Sequence, residues 1–336
     1  EKVYAFEPVP PELSDTEARR VLGAQGNVWT EYIKTPGHAE YMAYPRALAL
    51  SEVVWSPAAA RDWKDFSSRL SGGLARLAAL GVNFRVPEPA GLEEDLVTLA
   101  DSVRVELHNP VSWGEVRYAV DGSDPGAESP RYEQPIVLPV DRAGTTVSAR
   151  VLLPDGRLGP IARAVARRAD LRTGLDIDSS RLRPGVALEY AEGSFGSVAD
   201  VEAAGATRVG TMPRVELPGV ERAEGFGLHF RGYLRVPFDD LYYFELTSDD
   251  GSQLIIKEEV VVDHDGYHGA TSRTGAMGLA RGYHRLRVLY FQGGGGRQLA
   301  LRVRRGDGPF EPVPDQWFYV EDPLAQDRDL PMTDAP

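Results

Sequence analysis

Four short runs between residues 226 and 303 repeat an apolar residue at every second position. They are Phe226, Leu228 and Phe230; Tyr242, Phe244 and Leu246; Leu286, Val288 and Tyr290; and Leu299, Leu301 and Val303. Period two sends one set of side chains to one face of a strand. Several such strands separated by turn residues predict a β-sandwich, bounded at residues 185–320. The run Gly293–Gly296 falls between two of the strands and reads as a flexible hairpin loop. No βαβ pattern surrounds it, which argues against a phosphate-cradling loop.

The rest of the chain has a different grammar. Residues 101–169 predict a second, smaller sandwich. Val103, Val105 and Leu107 alternate there, as do Val116, Tyr118 and Val120, and the runs 136–138 and 146–151 supply further strands. Trp113 and the turn at Asp121 read as a packed indole and a hairpin turn rather than a site. Residues 1–88 are mostly helical. Ser14 and Glu17 have capping-box spacing. One helix is expected over 38–55, with Pro45 in its first turn or at a kink, and another over 61–80, closed by Gly81. A strand is expected at Asn27–Glu31. One strand and its helices make a βα unit with no sheet to pack on. Its apolar faces, with Trp55 and Trp63, are therefore expected to be exposed. Pro87–Gly91 reads as a linker, 170–184 as a connector, and the acidic tail 321–336 as disordered.

Charge and composition exclude several functions. The 336 residues carry a formal net charge of -13, so no basic surface offsets the phosphates of nucleic acid or an anionic membrane. The chain has no cysteine, which removes disulfides and thiolate metal sites. No apolar run is long enough to span a membrane. The chain starts without Met or a signal peptide, and reads as a piece of something longer. Oligomeric state is open.

Two stretches carry candidate chemistry. In Gly23–Ile33, Trp29 and Glu31 stand two apart. On a strand they would face one space, a ring that stacks beside an acceptor for hydroxyls, as a sugar site needs. In Ser248–Ser252, the adjacent Asp249 and Asp250 suggest a hard-cation site for Ca2+, with Asp263 and Asp265 one hairpin later as further oxygen ligands. His264 and His268 lie in a loop, which does not provide helical ligand spacing.

These residues also form a pattern. Val3–Pro10, Leu22–Tyr32, Glu40–Arg46, Ala49–Trp55, Asp62-Trp63 with Phe66, and Gly81–Arg85 resemble the last segment of the catalytic (β/α)8 barrel of glycoside hydrolase family 20, the β-N-acetylhexosaminidases and chitobiases. Val116–Pro125 with Ser129–Tyr132 resembles the immunoglobulin-like domain that follows this barrel in bacterial enzymes. Tyr243–Ser252, Val261–His268, Gly282–His284 and Tyr290-Phe291 resemble the carbohydrate-binding sandwich named after the anthrax protective antigen.

The resemblance implies a multidomain, mainly β chain: a barrel end over 1–88, an immunoglobulin-like sandwich over 101–169 and a protective-antigen-type sandwich over 185–320. It implies that Trp29 lines the N-acetylhexosamine subsite and that Glu31 accepts from sugar hydroxyls. Asp249 and Asp250 match the calcium pair of related adhesins. The family's catalytic Asp-Glu pair sits in a His-x-Gly-Gly-Asp-Glu-type motif that this chain lacks. The expected catalytic set is therefore empty, the chain alone is expected to be inactive, and catalysis needs no cofactor. The expected partners are N-acetylhexosamine-containing glycans. The family implies a periplasmic, outer-membrane-associated or secreted location. The rival reading is a non-catalytic glycan-binding or adhesion protein with a vestigial barrel segment.

Overall fold

The computed structural model describes residues 2–219 and 222–322; most of the tail expected to be disordered lies outside them. The chain divides into two compact units. One comprises Glu1–Leu96, Val103–Pro139 and Gly144–Ala166, and the other Val97–Ser102, Val140–Ala143 and Arg167–Pro336.

The helices of the first unit are α1 (Asp15–Ala18), α2 (Pro36–Ala43), α3 (Arg46–Trp55) and α4 (Trp63–Ala79). Their ends follow local chemistry. Ser14 and Glu17 form the expected capping box. Thr35 Oγ1 accepts from the His38 N–H, with Pro36 next in line at the first helical position. Asp62 caps α4 through the Asp65 N–H, and Gly81 at φ +74 terminates it. The single helix expected over 38–55 is in fact two. Pro45 has no N–H to give and clashes with the preceding turn, so the chain breaks there and Pro45 stands at the N-cap of α3.

After β1 (Leu96–Thr98), most of which belongs to the second unit, the strands here are β2 (Ser102–Val105), β3 (Glu115–Ala119), β4 (Ile136–Pro139), β5 (Thr145–Leu152) and β6 (Ala162–Arg168). β5 pairs antiparallel with β3 on one side and β6 on the other, and β2 pairs with β4. This sandwich is fused to the helices before it. Leu74 and Leu77 of α4, with Phe84 and Val86, pack against Val111, Val151 and Leu153. Ser71 Oγ accepts from the Ser112 N–H at 3.0 Å, and the Trp113 indole donates to the Ser71 carbonyl at 3.0 Å. Trp113 is thus a packed indole. The expectation of uncovered helix faces fails on this side of α4, because the sandwich supplies the cover. It holds at Trp55, which is 86% exposed. Trp63 lies between: it packs its edge against Tyr4 and tilts against Phe66. The 87–91 stretch is held rather than free, since Ala90 bridges His108.

The second unit contains β7 (Leu171–Arg172), β8 (Leu182–Pro184), β9 (Val186–Glu192), α5 (Val198–Ala203), β10 (Arg208–Met212), β11 (Phe226–Val236), β12 (Asp240–Asp249), β13 (Ser252–Ile256), β14 (Glu259–His264), β15 (Thr271–Leu279), β16 (Gly282–Gln292), β17 (Gln298–Arg305), β18 (Glu311–Pro312) and β19 (Phe318–Glu321). One sheet runs β10-β9-β11-β16-β13-β14, with β19 and β8 joined to it beside β11. The other runs β18-β17-β12-β15-β7. All four alternating runs face one core, where Phe226, Leu228, Phe230, Tyr242, Phe244, Leu246, Val288 and Tyr290 are fully buried. The chain is mainly β, as expected.

Candidate functional site

Gly23–Ile33 is neither helix nor strand, which corrects the strand expected at Asn27–Glu31. A strand exists only through ladder bonds to neighbours, and none of the described residues pairs with this segment. Trp29 is 73% exposed and Glu31 is exposed as well. The segment approaches α3 at one point, where a Cβ on Gly26 would lie 3.2 Å from the Leu50 side chain. The same-face argument for Trp29 and Glu31 therefore has no strand under it here.

Asp249 and Asp250 do come together, at the loop end of the second unit where β12 stops. Their peptide bond is cis, and the two residues are 7% and 5% exposed. The Asp250 carboxylate is almost wholly engaged by backbone. Oδ1 accepts from the His268 N–H at 3.2 Å; Oδ2 accepts from Gly293 and Gly294 at 2.9 and 3.3 Å. It therefore ties the 265–270 loop to the glycine loop. Below it, the Tyr290 hydroxyl reaches the Asp249 carbonyl at 2.6 Å and Gln292 Oε1 at 2.5 Å. Burial first, and then the Asp249 and Asp250 charges, push the Tyr290 phenol far above its ordinary pKa. It stays protonated and acts as a donor.

The glycine loop is more constrained than a flexible hairpin. A Cβ on Gly296 would sit 2.8 Å from Asp249 Oδ2, and one on Gly293 would collide with the Tyr267 ring. Tyr267 is the residue sequence reasoning missed. Its hydroxyl donates to the Phe195 carbonyl at 2.7 Å, its ring meets Phe291 edge-on, and it remains 65% exposed. The available signal was a tyrosine in an otherwise polar loop, Asp265-Gly-Tyr-His268. An exposed aromatic ring beside a carboxylate can stack on a sugar face and accept from its hydroxyls.

A calcium cage is incomplete. Ca2+ takes six to eight oxygens, yet no group of three or more His, Asp or Glu side chains that could hold a metal occurs among the described residues. Asp263 and Asp265 do not join the pair: Asp263 accepts from Gln253, and Asp265 accepts from the Val198 N–H at the start of α5. His264 and His268 pack ring on ring, 3.9 Å apart, with their nitrogens directed at Thr271 and at backbone carbonyls. Of the four acidic residues expected around an ion, only Asp249 and Asp250 stand together, and Asp250 already accepts three backbone N–H groups.

Three family models match this chain. Residues 1–58 match the catalytic domain of glycosyl hydrolase family 20, 105–165 the Fn3-associated domain and 182–317 the PA14 domain, named for protective antigen. A β-hexosaminidase of Porphyromonas gingivalis is 27% identical over 339 residues. That alignment covers 95% of this chain and 42% of the relative, so the chain spans less than half of that protein. A β-hexosaminidase of Akkermansia muciniphila is 37% identical over 73 residues, covering 21% of this chain and 14% of the relative. Among solved structures, a PA14 sugar-binding domain from an RTX adhesin aligns with TM-score 0.37 and 21% identity, covering 41% of this chain and 98% of that one. Among the described residues no helix is long and apolar enough to cross a membrane. Along 95% of its length the chain is similar to a β-hexosaminidase, with a family 20 catalytic-domain stretch at its start and a PA14 domain toward its end.

Proposed function

We propose that the chain is the C-terminal part of a β-N-acetylhexosaminidase that releases terminal non-reducing N-acetylhexosamine from glycans. The observation that carries this is similarity to one such enzyme along almost the whole chain, joined to a family 20 match that includes Trp29 and Glu31. The chemistry is substrate-assisted retention: the substrate's acetamido oxygen attacks the anomeric carbon, outside the two-carboxylate scheme. The Asp-Glu pair that orients the acetamido group and protonates the leaving oxygen lies outside this chain. Trp29 stacks on the sugar ring and Glu31 accepts from its outer hydroxyls, so both are binding residues. The last segment of a (β/α)8 barrel is the fold of residues 1–88, and the protein works in the periplasm, at the outer membrane or outside the cell.

The loop end of the second unit holds the glycan near the enzyme, with Tyr267 as stacking ring and Asp249 as hydroxyl acceptor. Calcium takes no part in this reading, since Asp250 is committed to backbone N–H groups.

The test uses a chromogenic N-acetylglucosaminide and the full-length gene product. Trp29→Ala and Glu31→Gln should each lower kcat/KM by about tenfold or more, and the 336-residue chain alone should show no turnover. Hydrolysis by the chain alone, or full activity of both variants, would defeat the proposal. A full-length product without hydrolytic activity would favour the glycan-binding rival.

A further inference from the structure

The outer face of the larger sheet of the second unit has two halves of opposite character. One half is apolar and covered: Ile255, Leu289 and Phe291 pack beneath Phe195 and the α5 residues Val198 and Val201. β11 and β16 continue beyond α5 with the same facing, and there the outward residues become Arg231, Tyr233, Arg285 and Arg287. Register sets Arg231 opposite Arg287 and Tyr233 opposite Arg285.

Like charges directly opposite destabilise a ladder, and the compensation here is partial. Glu189 pairs with Arg231, while Glu202 and Glu258 share Arg287. Arg287 Nε is buried without a partner. Arg285 is exposed, with no carboxylate partner among the described residues. On the same face of β11 as Arg231, His229 is 8% exposed, and its Nε2 has no partner among the described residues. Burial, then the nearby Arg287 charge, lower its pKa, so it adds no cation at neutral pH.

Arg231, Tyr233, Glu258, Arg285, Arg287 and Glu321 line a cavity of about 420 Å³, within the range of ligand pockets. Its walls are built. β19 closes one side, and its approach requires glycine at 232, where a Cβ would come within 2.5 Å of the Tyr319 oxygen. The opposite side is the turn at Lys257 and Glu258, both at positive φ, 52° and 65°. Glycine would sit there without strain; instead the turn carries Glu258 onto Arg287.

We propose that this basin binds a carboxylate-bearing saccharide, a uronide. Arg285 offers a free planar fork that matches one carboxylate. Glu258 and Glu321, both on the lining, already accept from Arg287 and from the Tyr233 hydroxyl, and each carboxylate keeps lone pairs for sugar hydroxyls. A ligand with one anionic group and several hydroxyls matches this mixed wall. Sulfate would meet the same two carboxylates with nothing to donate to them.

The experiment is calorimetric titration of the 336-residue chain with an oligogalacturonide, with a neutral chito-oligosaccharide and with inorganic sulfate. The oligogalacturonide should bind. Arg285→Ala, an exposed change, should weaken it about tenfold, and raising salt to about 0.5 M should weaken it as well. Arg302→Ala, an exposed arginine on β17 of the other sheet, should leave it unchanged. Absence of oligogalacturonide binding, equal affinity for sulfate, or an Arg285→Ala variant that binds like wild type would each overturn the proposal. Loss of chito-oligosaccharide binding alone would bear on the loop-end reading and leave this one standing.

Discussion

Replacing Asp250 by Asn tests whether that carboxylate is a backbone staple or a metal ligand. The side chain accepts three backbone N–H bonds through two oxygens, and the residue is 5% exposed. An amide keeps one acceptor. Its better orientation sets the carbonyl oxygen toward Gly293 and Gly294 and turns the NH2 group against the His268 N–H. One charge-assisted bond then becomes a donor–donor contact, and two lose their charge. At about 1.5–3 kcal/mol for a hydrogen bond to a charged group, the net loss is about 3 kcal/mol. In a unit of this size that lowers the melting temperature by roughly 6–12 °C. Asp249→Asn is the control, because among the described residues no backbone N–H donates to its carboxylate, and it should cost under about 1 kcal/mol. Thermal denaturation of both variants, with Ca2+ and with chelator, distinguishes the cases. A staple gives a large Asp250 effect, a small Asp249 effect, and no response to calcium. Equal effects at the two positions, with a calcium-dependent rise in wild type alone, would refute the staple and restore the ion.

Further outcomes follow from the packing. Leu74→Ala removes a fully buried side chain from the α4–sandwich contact and should cost about 2–5 kcal/mol by denaturant titration; a loss below 1 kcal/mol would mean that the contact is loose. Gly296→Ala should weaken glycan binding at the loop end more than it weakens the fold, since its Cβ would press on Asp249 Oδ2, whereas Gly295→Ala, at φ +83, should cost about 1 kcal/mol of stability instead. Stability should fall as pH drops from 7 toward 5. Burial depresses the pKa of His229, His264 and His284, so the native state holds fewer protons than the unfolded one; their contribution is present above the unfolded imidazole pKa and is lost as pH falls through the folded values. His284→Gln should flatten that slope, as denaturation midpoints at the two pH values would reveal.

The sandwich of the second unit was readable because its strands are amphipathic in the simplest way. Phe226, Leu228 and Phe230 face one core, and so do Leu299, Leu301 and Val303, so period two was sufficient. The helix ends were readable because caps are local: Ser14 with Glu17, Asp62 and Gly81 act on groups within a few residues. What was not readable depends on partners distant in sequence. Nothing near Trp113 announces that its indole ends on the Ser71 carbonyl, or that Val111 and Val151 cover Leu74 and Leu77. The acidic residues near the candidate site mislead for the same reason. Asp263 and Asp265 are close to Asp249 and Asp250 along the chain, but backbone and side-chain donors at Val198 and Gln253 claim them first.

The two candidate sites differ in how they hold their own geometry. At the loop end every positioning group belongs to the second unit: backbone N–H groups fix Asp250, Phe195 and Phe291 fix Tyr267, and the glycines leave room for both. Such a site is preorganised by the chain that carries it. Trp29 and Glu31 have no comparable support, since neither lies on a paired strand and Trp29 leaves most of its surface in water. Their helices carry the same signature. The groove between α3 and α4, about 680 Å³, is lined by Leu48, Trp55, Phe66 and Leu70 together with Glu52, Arg69 and Arg76, and Gly72 leaves open space beside it. A helix pair with one apolar side covered by the sandwich and the other open has packing capacity that these residues do not fill. If Trp29 and Glu31 bind sugar, their geometry must then come from strands that neighbour Gly23–Ile33 in the whole protein. This is why the activity assay belongs to the full-length product, while the binding experiments on the second unit can be read from this chain.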